Sequence, residues 1–116
     1  MLVEDEPLIS LYFAELLEEM GYEVSAIETT EMAAVAAAAR LKPDLMIVDV
    51  HLREGSGLAA IASILKQGFM PHIFTTGDRL LEEDVSPDAI ILQKPFLDAA
   101  LNKAIEAALV AKPAHG

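Results

Sequence analysis

The residues best suited to chemistry are a few polar side chains that each follow a short apolar run. Glu4 and Asp5 follow Met1–Val3, and Asp49 ends the run in "DLMIVDV" (44–50). Thr76 closes a run that starts at Ile73, and Lys94 comes soon after Ile90–Leu92. Carboxylates brought close together cannot all stay ionised unaided. A hard divalent cation with oxygen ligands is the usual remedy, and Mg²⁺ suits a site with few protein ligands and several waters. A hydroxyl and an ammonium beside such a cluster are the groups a transferred phosphoryl needs, with one carboxylate as nucleophile.

Taken singly, each of these features has a plainer explanation. Glu4-Asp5-Glu6-Pro7 reads as an acidic helix start favoured by the macrodipole, and Asp49 as a turn residue. Thr76-Gly77-Asp78 reads as a turn with a helix cap, and Lys94-Pro95 as a surface lysine before a loop proline. Their weight comes from order and placement, because each falls at the carboxyl end of a different predicted strand.

The elements that must position them follow from two alternating periods. Strands are predicted at Met1–Val3, Tyr22–Ile27, Leu45–Val50, Ile73–Thr76 and Ile90–Leu92. The first helix starts at Pro7, carries Leu8, Leu11, Tyr12, Leu16 and Met20 on one stripe, and stops at Gly21. Thr29-Thr30 offers a cap for the second, with Met32, Val35, Ala36 and Ala39 at helical spacing and Pro43 beyond its end. Leu58, Ile61, Ile64 and Leu65 mark the third, which ends near Gly68. Leu97, Leu101, Ile105, Ala108 and Leu109 mark the last. Alternating strands and helices imply an α/β fold with helices on both faces of a five-stranded parallel sheet. The doubly wound, flavodoxin-like order 2-1-3-4-5 fits this length. In that order the first and third strands are neighbours, so Glu4, Asp5 and Asp49 are expected to converge at the switch point.

Composition narrows the function classes. The 116 residues suffice for one domain, predicted as 1–112 with a flexible tail at 113–116. There is no cysteine, so neither disulfides nor thiolate metal sites are available. Hydrophobic residues reach 53%, yet nineteen of them are alanine, so large core side chains are scarcer than that figure suggests. A net charge of -11 disfavours nucleic acid and anionic membranes as partners. No apolar run is long enough to span a bilayer, and a cytoplasmic location is expected. His51, His72 and His115 are too scattered for a metal site built from side chains.

Together "VEDEP" (3–7), "DLMIVDVHL" (44–52), "SGL" (56–58), "TTG" (75–77) and "QKPF" (93–96) make the chain resemble a response-regulator receiver domain of two-component signalling over nearly its whole length. The resemblance implies that Asp49 is phosphorylated by a histidine kinase or histidine phosphotransferase. It further implies Mg²⁺ bound by Asp5 and Asp49, by Glu4 mainly through water, and by the backbone carbonyl of His51. Thr76 would be the switch hydroxyl, with Gly77 leaving room for access. Lys94 would pair with a phosphoryl oxygen, and the Lys94–Pro95 bond would be cis. The implied module is a stand-alone switch or phosphate relay with no turnover of an external substrate. Its output would be to a protein partner through strand four, helix four, strand five and helix five. Side chains at His51 and Asp78 would flank the attacking water and tune the phosphoryl lifetime.

The chain departs from the family pattern in several places. Ile91 stands where the family usually carries an aromatic that reports phosphorylation. Seventeen residues separate Thr76 from Lys94, fewer than usual, so a fourth helix within 79–85 must be short. "LREGSG" follows His51 where a proline and a glycine are common. "FTTG" (74–77) and the short fourth helix are similar to the FAT GUY subgroup of stand-alone receivers, some tied to general stress signalling, although Asp78-Arg79 does not continue that motif. Two other classes compete. A haloacid-dehalogenase-type phosphatase would need a second acid two residues after the nucleophile, where this chain has His51. A phosphorylation-independent docking module (a pseudo-receiver) is kept open by Ile91 and the shortened helix. Nucleotide or flavin binding lacks a glycine-rich loop after the first strand.

Overall fold

The computed structural model describes residues 1–77, 85 and 89–111. Chain order is β1 (Leu2–Val3), α1 (Pro7–Glu19), β2 (Ile27–Glu28), α2 (Glu31–Leu41), β3 (Met46–Asp49), α3 (Gly57–Leu65), β4 (His72–Thr76), β5 (Ile90–Gln93) and α4 (Asp98–Leu109). The strands form one parallel sheet in the order β2-β1-β3-β4-β5, as the alternating pattern predicts. The predicted fourth helix falls on residues outside those described, as does the predicted tail.

Strand periodicity divides the core in two. Leu2, Ile47, Ile73 and Leu92 face α1 and α4, where they meet Phe13, Leu17, Leu101 and Ile105. Val3, Met46, Val48 and Phe74 face α2 and α3, where they meet Ala34, Ala37, Ala38, Ile61 and Ile64. The sheet is therefore apolar on both sides, which explains why β3 reads as a continuous hydrophobic run. The α2 face is nearly all methyl groups, so that helix can lie close to the sheet and to α3.

Local chemistry sets the helix ends. Pro7 occupies the first turn of α1. The Thr30 hydroxyl accepts the Ala33 N–H at 3.1 Å to start α2, and Lys42, in the left-handed region at φ 48°, ends it just before Pro43. The Ser56 hydroxyl accepts the Leu58 and Ala59 N–H groups to start α3.

The structure corrects four expectations, one of them on α4, where Leu101, Ile105 and Ala108 are buried as expected but Leu97 and Leu109 are exposed and Ala104 is buried. On α1 the buried face is Ser10, Phe13 and Leu17, with Leu16 and Met20 of the expected stripe packed partly buried beside it, whereas Leu8 is 82% exposed and Leu11 and Tyr12 face solvent. Two apolar stripes fit the helical period, and packing selects the one carrying Phe13, whose ring lies 5.7 Å from that of Phe96. Ser10 tolerates burial because its hydroxyl donates to the Pro7 carbonyl at 3.0 Å. On α2 the buried residues are Ala34, Ala37 and Ala38, while Met32 is exposed. The second strand spans Ile27–Glu28 rather than Tyr22–Ile27, because the two residues of β1 offer a ladder only that long.

Candidate functional site

Four strand ends deliver the predicted side chains to one rim. At the end of β1 the Glu4 N–H still bonds the Glu28 carbonyl at 3.0 Å, and its side chain turns inward to 3% exposure. Asp5 follows, and Pro7 then starts α1. Asp49 is the last residue of β3 and is buried. Thr76, the last residue of β4, is 1% exposed. It pairs in register with Gln93, and its carbonyl accepts the Lys94 N–H at 2.7 Å, which places Lys94 beside it. The Lys94–Pro95 bond is cis.

Lys94 reaches back across the sheet. Its ammonium donates to Asp49 Oδ2 at 2.9 Å and to Glu4 Oε1 at 3.1 Å. The other Asp49 oxygen, Oδ1, accepts the backbone N–H of His51 at 3.0 Å. Desolvation raises the Glu4 carboxyl above its ordinary value, with Lys94 opposing that shift and Asp49 adding to it. Burial by itself would lower the Lys94 ammonium. The hydrogen bonds and charges of Asp49 and Glu4 outweigh burial, and the group is held above its ordinary value.

The loop from β3 to α3 closes over the acids. The Arg53 N–H donates to Asp5 Oδ2 at 2.6 Å, and its guanidinium pairs with Glu6 at 2.7 Å. A proline, common in this loop in the family the sequence resembles, has no N–H to donate. Gly57 packs directly on the end of β3. A Cβ there would fall on the Asp49 carbonyl oxygen and lie 2.8 Å from Val48 Cγ1. Spacing did not single out Arg53 or Gly57 as site residues. Their only signals were the unusual "LREGSG" and the glycine in "SGL".

The predicted convergence of three carboxylates takes a different form. Lys94 stands between Glu4 and Asp49, and Asp5 is engaged by the Arg53 backbone. Among the described residues no group of three or more His, Cys, Asp and Glu side chains could hold a metal ion. The donors of Asp5 and Asp49 are nonetheless hard carboxylate oxygens. Mg²⁺ binds through one or two carboxylates with waters completing its shell, so this donor set fits such an ion without a third acid.

A family model described as the response regulator receiver domain matches residues 1–106. The phyllosphere-induced regulator PhyR of Methylorubrum extorquens is 35% identical over 113 residues, which cover 94% of this chain and 42% of PhyR. The chain thus spans less than half the length of that relative. The crystal structure of the anti-anti-sigma factor PhyR from Bartonella quintana is 34% identical with a TM-score of 0.82, covering 94% of this chain and 46% of that one. The receiver domain of the sensor histidine kinase PA1611 from Pseudomonas aeruginosa is 26% identical with a TM-score of 0.83, covering 95% of both chains. It is described with a magnesium ion coordinated in the active-site cleft.

Proposed function

The chain belongs to the response regulator receiver family, and from that premise we propose that Asp49 accepts a phosphoryl group from a histidine kinase or histidine phosphotransferase. The observation that most supports this is the Lys94 ammonium hydrogen-bonded to Asp49 at 2.9 Å, at the rim where β1, β3, β4 and β5 end. In the transfer one Asp49 carboxylate oxygen attacks phosphorus. The P–N bond to the donor imidazole breaks, and the imidazole leaves with the electron pair. Lys94 exchanges one carboxylate contact for a phosphoryl oxygen, and the Thr76 hydroxyl donates to another. Mg²⁺ held by Asp5 and Asp49, by Glu4 through water and by the His51 carbonyl would, when bound, neutralise charge on the phosphoryl oxygens.

Loss of the group is the reverse charge balance with water as nucleophile. Water attacks phosphorus, the P–O bond to Asp49 breaks, and inorganic phosphate departs. The domain promotes only these two steps on itself and turns over no external substrate. Output is a shifted equilibrium at the β4, β5 and α4 surface, read by a protein partner or passed on as phosphate. Kinship with a PhyR described as an anti-anti-sigma factor favours a protein partner. The net charge of -11 also argues against nucleic acid and membrane. The setting is the cytoplasm, consistent with no helix among the described residues being long and apolar enough to cross a membrane.

Ile91 supports a second reading. It is exposed on β5 where the family usually has its reporting aromatic, so a docking module independent of phosphate also fits. Incubation with Mg²⁺ and acetyl phosphate, followed by intact mass, separates the readings. One acid-stable, base-labile phosphoryl adduct that disappears in Asp49→Asn supports the switch. No adduct, with partner binding retained, supports the docking module. Continuous phosphate release from many monoesters supports a hydrolase.

A further inference from the structure

Two backbone N–H groups of the β3–α3 loop touch the acids of the site. His51 N–H lies on Asp49 Oδ1 at 3.0 Å, and Arg53 N–H on Asp5 Oδ2 at 2.6 Å. The loop is closed at its base by the antiparallel bridge between His51 and Ser56 and by the Gly57 N–H on the Val50 carbonyl at 3.0 Å. Its far side is fastened to another element, the first residue of α2. Glu31 Oε1 accepts the Ser56 N–H at 2.9 Å, and the Glu31 N–H donates to the Glu54 carbonyl at 3.1 Å. Gly55, in the left-handed region at φ +88°, leaves the space that the Glu31 side chain fills, and a Cβ there would lie 2.6 Å from Glu31 Oε1.

We propose that Glu31 is a positioning residue of the phosphoacceptor site, acting through this loop. The Ser56 hydroxyl accepts from Leu58 and Ala59 as the α3 cap, and the Ser56 N–H has its acceptor on α2. The carboxylate lies at the start of α2 and bonds the residue that caps α3, a place where two helix N-termini favour negative charge. It therefore costs little to hold there. Removing it takes away the side-chain tie on the segment that aims the His51 and Arg53 N–H groups, leaving only the backbone bonds to hold the loop, with Asp49, Lys94 and Thr76 in place. This inference rests on Asp49 being the phosphoacceptor.

Adduct formation with Mg²⁺ and varied acetyl phosphate, read by intact mass, tests it in wild type, Glu31→Ala, Glu31→Gln and Glu31→Asp. Glu31→Ala is expected to lower the maximal rate by about tenfold, the scale of a small misplacement at a reacting centre, with the half-saturating donor concentration little changed. Glu31→Gln keeps an oxygen acceptor at the same reach and stays within about twofold of wild type. Glu31→Asp keeps the charge at the helix start but falls short of Ser56, so it is slower than wild type even where Glu31→Ala folds poorly. Wild-type rates in folded Glu31→Ala or Glu31→Asp, with at most a lowered Tm, would overturn the inference and leave the phosphoacceptor assignment standing. A wild-type protein that forms no adduct overturns both.

Discussion

Lys94 Nζ stands 2.9 Å from Asp49 Oδ2, so one ammonium ties the residue after β5 to the last residue of β3. Without it, the buried carboxylates of Glu4 and Asp49 would face each other with no shared cation. Breaking a buried pair by removing one partner costs several kcal/mol. The Lys94 side chain is 27% exposed, and solvent screening reduces that figure. Lys94→Ala is expected to lose about 1–3 kcal/mol at neutral pH, less when millimolar Mg²⁺ is present to neutralise the acids. Urea unfolding with and without Mg²⁺ measures both, and an unchanged midpoint in metal-free buffer would count against the pair.

The pH dependence of stability carries the same sign for two groups in two separate windows. Glu4 has its carboxyl raised by desolvation, so just above the ordinary value of 4.5 the folded state binds more protons than the unfolded chain. Its contribution is largest below the ordinary value of 4.5 and declines as pH rises through the folded value. Lys94 is held above 10.5 by Asp49 and Glu4 against the effect of burial. Its contribution is complete below 10.5 and disappears as pH rises through the folded value. Unfolding free energy should therefore drop at the alkaline end in wild type, with a shallower drop in Lys94→Met. Equal alkaline slopes in the two proteins would refute the assignment.

Much of this site was legible because strand periodicity and the parallel sheet order determine where strand ends must lie. Glu4, Asp5, Asp49, Thr76 and Lys94 each follow an apolar run, and the 2-1-3-4-5 order brings those runs to one rim. What spacing could not decide was which apolar stripe faces inward. On α1 both Leu8-Leu11-Tyr12 and Phe13-Leu17 satisfy the helical period, and tertiary packing against the sheet, α4 and Phe96 separates them. On α2 the alanines hid the buried face, since Met32 looks like a better core residue than Ala34. The Lys94 bridge to Glu4, the Arg53 strap and the Glu31 anchor depend on side-chain reach across 90, 47 and 25 positions of sequence, which no local pattern encodes.

The α1 correction yields a direct contrast. Phe13→Ala removes a buried ring from the core shared with α4 and is expected to cost about 3–5 kcal/mol. Leu8→Ala and Tyr12→Ala change exposed positions and should each stay within about 0.5 kcal/mol of wild type. Chemical denaturation of the three variants checks the face assignment. A large loss at Leu8 or Tyr12 would restore the stripe read from spacing.

Gly57→Ala puts a methyl group where the Asp49 carbonyl oxygen and Val48 Cγ1 already sit. The obstacle includes backbone, so relief requires moving either the end of β3 or the start of α3. We expect a loss of about 2–4 kcal/mol, at or above the usual range for overpacking. Phosphoryl labelling should also fall, because the displaced strand end carries the acceptor. Ser56→Gly, which only weakens the α3 cap, should cost no more than a few tenths of a kcal/mol, as glycine is itself an acceptable cap. Similar losses in the two variants would show that Gly57 serves the helix start rather than the approach to Asp49.

Phosphoryl lifetime isolates the side chain of His51 from its backbone. The contact with Asp49 is made by the His51 N–H, which any residue but proline supplies, while the imidazole side chain belongs to an exposed residue at the mouth of the site. His51→Ala therefore preserves the hydrogen bond and removes the imidazole, the group that the receiver resemblance sets beside the attacking water. Combined with Asp78→Ala, at a position outside the described residues, it is expected to shift the rate of phosphoryl loss by about tenfold, since placement of the water governs that step. Labelling should stay stoichiometric, because the acceptor and Lys94 are untouched. Decay of the purified adduct after donor removal, followed by intact mass, gives the rate. A double variant that decays as wild type does would assign control of the lifetime to the backbone N–H and Lys94 alone.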